Sequence, residues 1–125
     1  MSEKPVLLDA NAALRYLLED NDEQTEEVCR AVASGAEVTL EVLAECVYVL
    51  SCVYEVPRSR VAESLDLLLD DVACQRRGIA LAALGLWSGS TYDFVDCVLA
   101  AEHSELGRDV LTFDRKLLCL LATVG

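Results

Sequence analysis

Residues 5–18, PVLLDANAALRYLL, decide the fold class. The run Pro5–Asp9 is short, apolar and closed by a charge, which predicts a buried β-strand. A helix is predicted directly after it, from Asn11 to Leu18, because apolar residues recur there at helical spacing. A buried strand that leads straight into a helix is typical of α/β proteins with a parallel sheet.

The rest of the chain continues this alternation. Further strands are predicted at Glu37–Leu40 and Asp109–Thr112. Capping and breaking residues set the bounds of the remaining predicted helices, which are Asp22–Ser34 ended by Gly35, Glu41–Tyr54 ended before Pro57, Arg60–Val72 capped by Ser59, Gly78–Trp87 (helix or partly strand), Asp93–Leu106 ended by Gly107, and Lys116–Ala122. The pattern predicts a short parallel sheet covered by helices on both faces.

Length and charge limit the function classes. The chain has 125 residues, so we expect a single domain spanning residues 1–125. Hydrophobic residues make up 54% of it, which argues against intrinsic disorder. The net charge of −12 excludes nucleic-acid binding through a broad basic surface, because phosphates would be repelled almost everywhere. Any nucleic-acid chemistry would need metal ions or a small local patch of arginine.

The cysteines and the apolar runs of the sequence indicate where in the cell the protein is expected. Six cysteines and one histidine, with no C-x-x-C pair, argue against a clustered zinc site, and the cysteines are interpreted as reduced core residues. The N-terminal apolar run is interrupted by Asp9 and Asn11, so it does not read as a signal peptide. The longest uncharged run, Gly78–Tyr92, has 15 residues, fewer than the roughly 18 of a membrane span. We therefore expect a soluble, cytoplasmic protein with no membrane partner.

Four carboxylates stand in segments that are otherwise apolar: Asp9, Glu45, Asp96 and Asp114. Asp9 and Asp114 lie at the carboxyl ends of predicted strands, where open α/β sheets bind ligands. Asp93 shares a helix face with Asp96. A lone buried carboxylate is costly unless it is paired or bound to a metal. Carboxylates without histidine or thiol partners suit Mg²⁺ or Mn²⁺, so the pattern predicts a metal site that can activate water.

Separate structural roles are the alternative interpretation of these acids. Asp114 and Asp93 stand where they can cap helices, and Glu45 has Arg15 as a possible partner. Only ten Lys and Arg residues balance 22 Asp and Glu residues, and most of the arginines lie in polar segments. Because partners for four buried acids are few, the sequence favours a shared metal site.

The segments around these acids resemble those of PIN-domain ribonucleases, and most closely the VapC-like toxins of bacterial toxin–antitoxin pairs. Four segments carry the resemblance in the right order: Val6–Leu18, Glu41–Leu50, Tyr92–Ala101 and Leu111–Leu118. The resemblance implies an α/β fold, a three-layer α/β/α sandwich with a short parallel sheet. It also implies a cytoplasmic Mg²⁺-dependent endoribonuclease, with Mn²⁺ as a possible substitute. The implied partners are an RNA substrate, a cognate antitoxin protein and a second copy of the chain.

The same resemblance implies roles for individual residues. The implied metal ligands and catalytic residues are Asp9 and Asp96, which bind Mg²⁺ most directly, and Glu45 and Asp114, which complete the acidic pocket. The residues expected beside these ligands are Asn11, Asp93 and Thr112. The nearby cations that would hold RNA phosphates are Arg15, Arg115 and Lys116.

Other protein classes fit less well. A receiver domain needs two adjacent acids after its first strand, but Ala10 follows Asp9. A phosphatase of the haloacid dehalogenase type needs an acid two residues after the first, and Asn11 stands there. A PIN fold that binds a partner without turnover remains the open alternative.

Overall fold

A computed structural model describes residues 4–19 and 22–125. The elements follow in the order β1 (Val6–Leu7), α1 (Ala10–Leu18), α2 (Glu23–Ser34), β2 (Ala36–Glu37), α3 (Leu40–Tyr48), α4 (Arg58–Asp71), α5 (Arg77–Ser88), α6 (Phe94–Leu106) and α7 (Arg115–Val124). A π-helical segment, Val49–Val53, continues α3. The predicted helices are therefore confirmed within a few residues at each end. The ambiguous segment Gly78–Trp87 is entirely helical, as part of α5.

The sheet is short and parallel, as the sequence predicts. Val6 pairs with Ala36 and Leu7 with Glu37, and the Leu8 amide donates to the Glu37 carbonyl at 2.9 Å. An isolated parallel bridge joins Glu37 to Ala73. Because β1 and β2 run in the same direction, the helices that follow them, α1 and α3, begin at the same edge of the sheet. The architecture is α/β, with helices predominating around two paired strands.

The strand predicted at Asp109–Thr112 is wrong, because residues 107–114 form neither helix nor strand. Leu111 and Phe113 expose 88% and 91% of their surface, and Val6 on β1 is also exposed. An apolar extended segment becomes a strand only when another strand accepts its hydrogen bonds. In the part of the chain that the structure describes, β1 pairs with β2 alone.

Two predicted boundaries also move, because capping residues override the apolar pattern. The predicted strand Glu37–Leu40 ends early because Thr39 caps α3, its Oγ1 accepting a hydrogen bond from the Val42 amide at 3.2 Å. The predicted Ser59 cap is wrong. Pro57 occupies the N-cap position of α4 instead, and its carbonyl accepts from the Val61 amide at 3.0 Å. A fixed proline φ, here −58°, suits the entry to a helix.

Local signals fix the other helix ends as predicted. Asp22 caps α2 by accepting a hydrogen bond from the Thr25 amide at 2.7 Å. This bond, ahead of the nearby Arg15 charge, lowers the pKa of Asp22. Gly35 and Gly107 end α2 and α6 with φ of 113° and 66°, values that favour glycine.

The core lies where α3, α4, α5 and α6 meet. Leu43, Leu65 and Leu84 are completely buried there, and Trp87 packs edge-to-face on Phe94 with ring centroids 6.4 Å apart. All six cysteines are free thiols. Only two of them are buried, Cys46 and Cys97, and burial raises their pKa values to about 12 and about 11.

Among the described residues, no helix is both long enough and apolar enough to cross a lipid bilayer.

Candidate functional site

Two of the four predicted site acids begin helices. Asp9 stands at the N-cap of α1 and accepts a hydrogen bond from the Ala12 amide at 2.8 Å. Asp114 stands at the N-cap of α7 and accepts from the Lys116 amide at 2.9 Å. Each bond uses one carboxylate oxygen, Oδ1, so a cap does not prevent the second oxygen from binding a ligand.

Glu45 and Asp9 belong to the two sides of the contact between α1 and α3. The Cys46 thiol approaches the Ala10 carbonyl at 4.0 Å, which brings the start of α1 against α3. Burial chiefly raises the pKa of Cys46, and the negative charges of Glu45 and Asp9 raise it further. Both carboxylates therefore act on the same thiol, and Asp9 and Glu45 are called the first acidic group.

The proposed pairing of Glu45 with Arg15 is wrong. Arg15 Nη1 lies 2.7 Å from Asp22 Oδ2, and Arg15 Nε donates to Asn11 Oδ1 at 3.1 Å. Asn11 is one turn before Arg15 on α1, and Asp22 opens the next helix, so both are closer partners than α3 offers. Arg15 is consequently engaged in an intramolecular pair, although the resemblance implies that it holds an RNA phosphate.

Asp93, Asp96 and Asp114 form the second acidic group. Asp93 takes the N-cap position of α6 but makes no capping hydrogen bond with its side chain, and Asp96 lies one turn later. Burial raises the pKa of Asp96, the charges of Asp93 and Asp114 raise it further, and Lys116 opposes them. Like charges thus crowd around the only one of the four predicted site acids that is partly buried.

Residues beside this group connect α6 to α7. Thr112 Oγ1 accepts a hydrogen bond from the Asp114 amide at 3.1 Å, so it shapes the turn before α7. The Lys116 ammonium lies 5.4 Å from the centre of the Tyr92 ring, one residue before Asp93. Arg115 and Lys116 are exposed at the start of α7.

The expected burial of all four acids is wrong for three of them, because Asp9, Glu45 and Asp114 are exposed. The sequence argument assumed that apolar neighbours bury a carboxylate, but N-caps and helix faces turn these side chains outward. Within residues 4–19 and 22–125, no group of three or more His, Cys, Asp or Glu side chains is placed to hold a metal ion. The structure therefore shows two acidic groups and not a closed ligand cage.

These groups still fit one class of metal ion. Mg²⁺ is commonly held by one or two carboxylates and several waters, so it does not need a cage of three side chains. Burial is the main cause of the raised pKa of Asp96, and a cation there would offset the added repulsion from Asp93 and Asp114. The donor chemistry is hard oxygen throughout, which suits Mg²⁺ or Mn²⁺.

The sequence analysis did not identify Arg58, which holds the loop that precedes Asp93 and Asp96. Its Nη1 donates to the carbonyls of Trp87 at 3.0 Å and Tyr92 at 2.6 Å. Its guanidinium lies 4.6 Å from the centre of the Trp87 ring. These partners are 29 and 34 residues away along the chain, so no local spacing signals the contact.

Comparison with known proteins places the chain in a family. The family described as PIN domain matches residues 6–120, a range that contains both acidic groups. No curated protein and no solved structure matches the chain.

Proposed function

The chain belongs to the PIN-domain family, and on that premise we propose that it is a metal-dependent endoribonuclease. The family match supports a nuclease. The metal requirement is supported by Asp96, whose pKa is raised first by burial and then by the charges of Asp93 and Asp114, so that a cation would balance negative charge there. The proposed reaction is hydrolysis of an RNA phosphodiester bond.

Mg²⁺, or Mn²⁺ in its place, is proposed to bind Asp96 and Asp9 most directly, with Glu45 and Asp114 completing the pocket. When bound, the ion supplies Lewis acidity that activates water and balances charge on the phosphate. The chain contributes the N-termini of α6 and α7, whose positive ends favour carboxylates and phosphates.

Flanking side chains are assigned to positioning and to phosphate binding. Thr112 holds the turn that presents Asp114. Asn11 accepts a hydrogen bond from Arg15 one turn later on α1, and the charge of Asp93 raises the pKa of Asp96 beyond the effect of burial. We propose that the exposed cations Arg115 and Lys116 bind RNA phosphates locally, since a net charge of −12 gives no general attraction. Arg15 would join them only after leaving Asp22.

The finer identity is proposed as well. We propose a VapC-like toxin that acts in the cytoplasm, is inhibited by a cognate antitoxin and forms a homodimer. We also propose that the short sheet lies at the centre of a three-layer α/β/α sandwich. The order of the four matching segments supports the toxin class. The net charge suits a partner with basic segments, and the exposed Leu111 and Phe113 give apolar surface for a protein interface.

Cleavage of total bacterial RNA by partner-free protein tests the nuclease. We expect a few discrete products with Mg²⁺ or Mn²⁺, none with a chelator, and none from the Asp96→Asn variant. Asp66→Asn is the matched control, because burial also raises the pKa of Asp66 but this residue lies on α4, outside both acidic groups. Cleavage that survives both the chelator and Asp96→Asn would refute the proposal.

A partner-binding PIN protein without turnover is the second candidate. It is favoured by the capping roles of Asp9 and Asp114 and by the lack of a three-residue ligand group among the described residues. Calorimetry with Mg²⁺ and Mn²⁺ separates the two candidates. Absence of cleavage under every condition would support the second, and absence of metal binding would strengthen that support.

A further inference from the structure

A cavity of about 370 Å³ opens beside Asp96. It lies between α3, the π-helical segment, and the starts of α4 and α6, and its walls include Tyr48, Cys52, Arg58, Trp87, Asp93 and Asp96. Cavities of roughly 300–1,000 Å³ are the usual size for small organic ligands. Two candidate site acids therefore share a wall with a space large enough for one flat ring.

One wall carries an uncovered aromatic ring. Tyr48 exposes 62% of its surface, although it follows a mostly buried stretch of α3. It comes three residues after Glu45, so the two side chains share a helix face. An exposed aromatic ring in the wall of a cavity provides a stacking surface for a base.

A second wall carries fixed hydrogen-bond donors. Arg58 Nη1 is held by the Trp87 and Tyr92 carbonyls, and the guanidinium rests on the Trp87 ring. Among the described residues, Arg58 Nε and Nη2 have no hydrogen-bond partner. Because the guanidinium is planar and already held in place, these donors are oriented without further loss of side-chain freedom.

The backbone beside Tyr48 departs from regular helix. In the π-helical segment, the Tyr54 amide bonds to the Val49 carbonyl at 3.1 Å, five residues back. Ser51 and Cys52 from this segment line the cavity. Single π-helical turns occur frequently at functional sites, because the wider turn re-aims side chains at some cost in stability.

We propose that this cavity is a nucleobase subsite, in which an unpaired RNA base stacks on Tyr48 and accepts hydrogen bonds from Arg58. The neighbouring carboxylates of Asp93 and Asp96 repel a phosphate but accept a neutral ring. The phosphate attached to such a base would approach these acids only when the proposed metal ion balances their charge. This subsite rests on the proposed nuclease function, for which it would select the base beside the cleaved bond.

Trp87 reports on the cavity directly, since it is the only tryptophan in the chain and forms part of the wall. The test titrates adenosine, guanosine, cytidine and uridine, each without phosphate and in a chelator. Trp87 fluorescence is excited at the red edge of its absorption, where the bases do not absorb. We expect a saturable change with a preference among the four nucleosides.

Variants assign the binding to Tyr48. Tyr48→Ala should weaken binding of the preferred nucleoside by about 5- to 150-fold, as expected for the loss of one base–aromatic stack. Tyr48→Phe should retain binding. Tyr54→Ala is the matched control, because Tyr54 is 56% exposed but lies outside the cavity wall. If Tyr48→Ala fails to fold, Tyr48→Leu takes its place, since it keeps apolar bulk but has no aromatic face.

The outcomes separate this proposal from the nuclease. A wild-type protein that cleaves RNA but shows no saturable response to any nucleoside would overturn the subsite alone. Equal affinity in the wild type and Tyr48→Ala would also overturn it. Nucleoside binding that persists in Asp96→Asn while cleavage is lost supports both proposals. Binding by a protein that never cleaves RNA supports the subsite and removes the nuclease.

Discussion

Arg58 Nη1 lies 2.6 Å from the Tyr92 carbonyl oxygen, one residue before Asp93. The same nitrogen donates to the carbonyl of Trp87 near the end of α5. One side chain at the start of α4 thereby joins the end of α5 to the loop that leads into α6. Because Asp93 and Asp96 follow this loop directly, their placement depends on the Arg58 contact.

Replacing Arg58 should destabilise the fold. Arg58→Met keeps the apolar stem but leaves two carbonyls without their charged donor, so we expect the free energy of unfolding to fall by about 2–3 kcal/mol. Arg58→Lys should lose less, because it retains one charged donor but not the fork. Denaturant unfolding measures both. The control Arg60→Met, an exposed position on the same helix, should stay within about 0.5 kcal/mol of wild type. Equal losses at the two positions would contradict the role given to Arg58.

Asp96→Asn should stabilise the protein at neutral pH while abolishing cleavage. Burial and the charges of Asp93 and Asp114 raise the folded-state pKa of Asp96 above its ordinary value of 3.8. The stability linked to this group is therefore fully present below pH 3.8 and is lost as pH rises through the higher folded pKa. The gain at pH 7 should be modest, up to about 1 kcal/mol, because solvent screens a partly exposed group.

Thermal unfolding of Asp96→Asn at pH 7 and below pH 3.8 checks this sign, since the gain should vanish in acid. Asp66→Asn should show a gain of the same sign without loss of cleavage, because burial and Asp70 raise the pKa of Asp66. Added Mg²⁺ should raise the melting temperature of wild type and of Asp66→Asn, but raise that of Asp96→Asn less. A destabilised Asp96→Asn at pH 7 would show that the carboxylate has a compensating structural partner.

Ionisation of Tyr16 should lower the free energy of unfolding at alkaline pH. Its hydroxyl donates to Asp71 Oδ2 at 2.6 Å, and this bond, with burial, raises the pKa of Tyr16 from 10.0 to about 12. The linked stability is complete below pH 10.0 and is lost as pH rises towards about 12. Tyr16→Phe should lose about 1 kcal/mol at pH 7 and show a flatter profile across this window. Urea unfolding at several pH values, with Tyr54→Phe as control, measures the difference.

The helix ends that were predicted correctly are those set by local hydrogen bonds. Asp22, Gly35 and Gly107 act on backbone groups within a few residues, so their effects can be derived from the chain order alone. Strand Asp109–Thr112 failed for the opposite reason, because a strand needs a partner from elsewhere and apolar character does not supply one. The predicted strand at Glu37–Leu40 ended early for a local reason, because Thr39 caps α3.

The candidate site was only partly derivable from the sequence. Asp96 was recognisable as a charge inside an apolar helix, and the structure places it among other acids. The exposure of Glu45 and the pairing of Arg15 with Asp22 were not recognisable, because they depend on how α1, α2 and α3 pack. The cavity beside Tyr48 was also hidden, because it is enclosed by elements far apart in the chain.

The exposed segment before α7 should contribute little to the stability of the fold. Leu111 and Phe113 expose 88% and 91% of their surface, so the double variant Leu111→Ser with Phe113→Ser should leave the free energy of unfolding within about 0.5 kcal/mol of wild type. Leu117→Ser, only 3% exposed, should lose roughly 2–5 kcal/mol as a control. Removing two apolar side chains should also weaken self-association in sedimentation velocity, if this segment contributes to the proposed homodimer. A large loss of stability in the double variant would contradict the exposure of these two side chains.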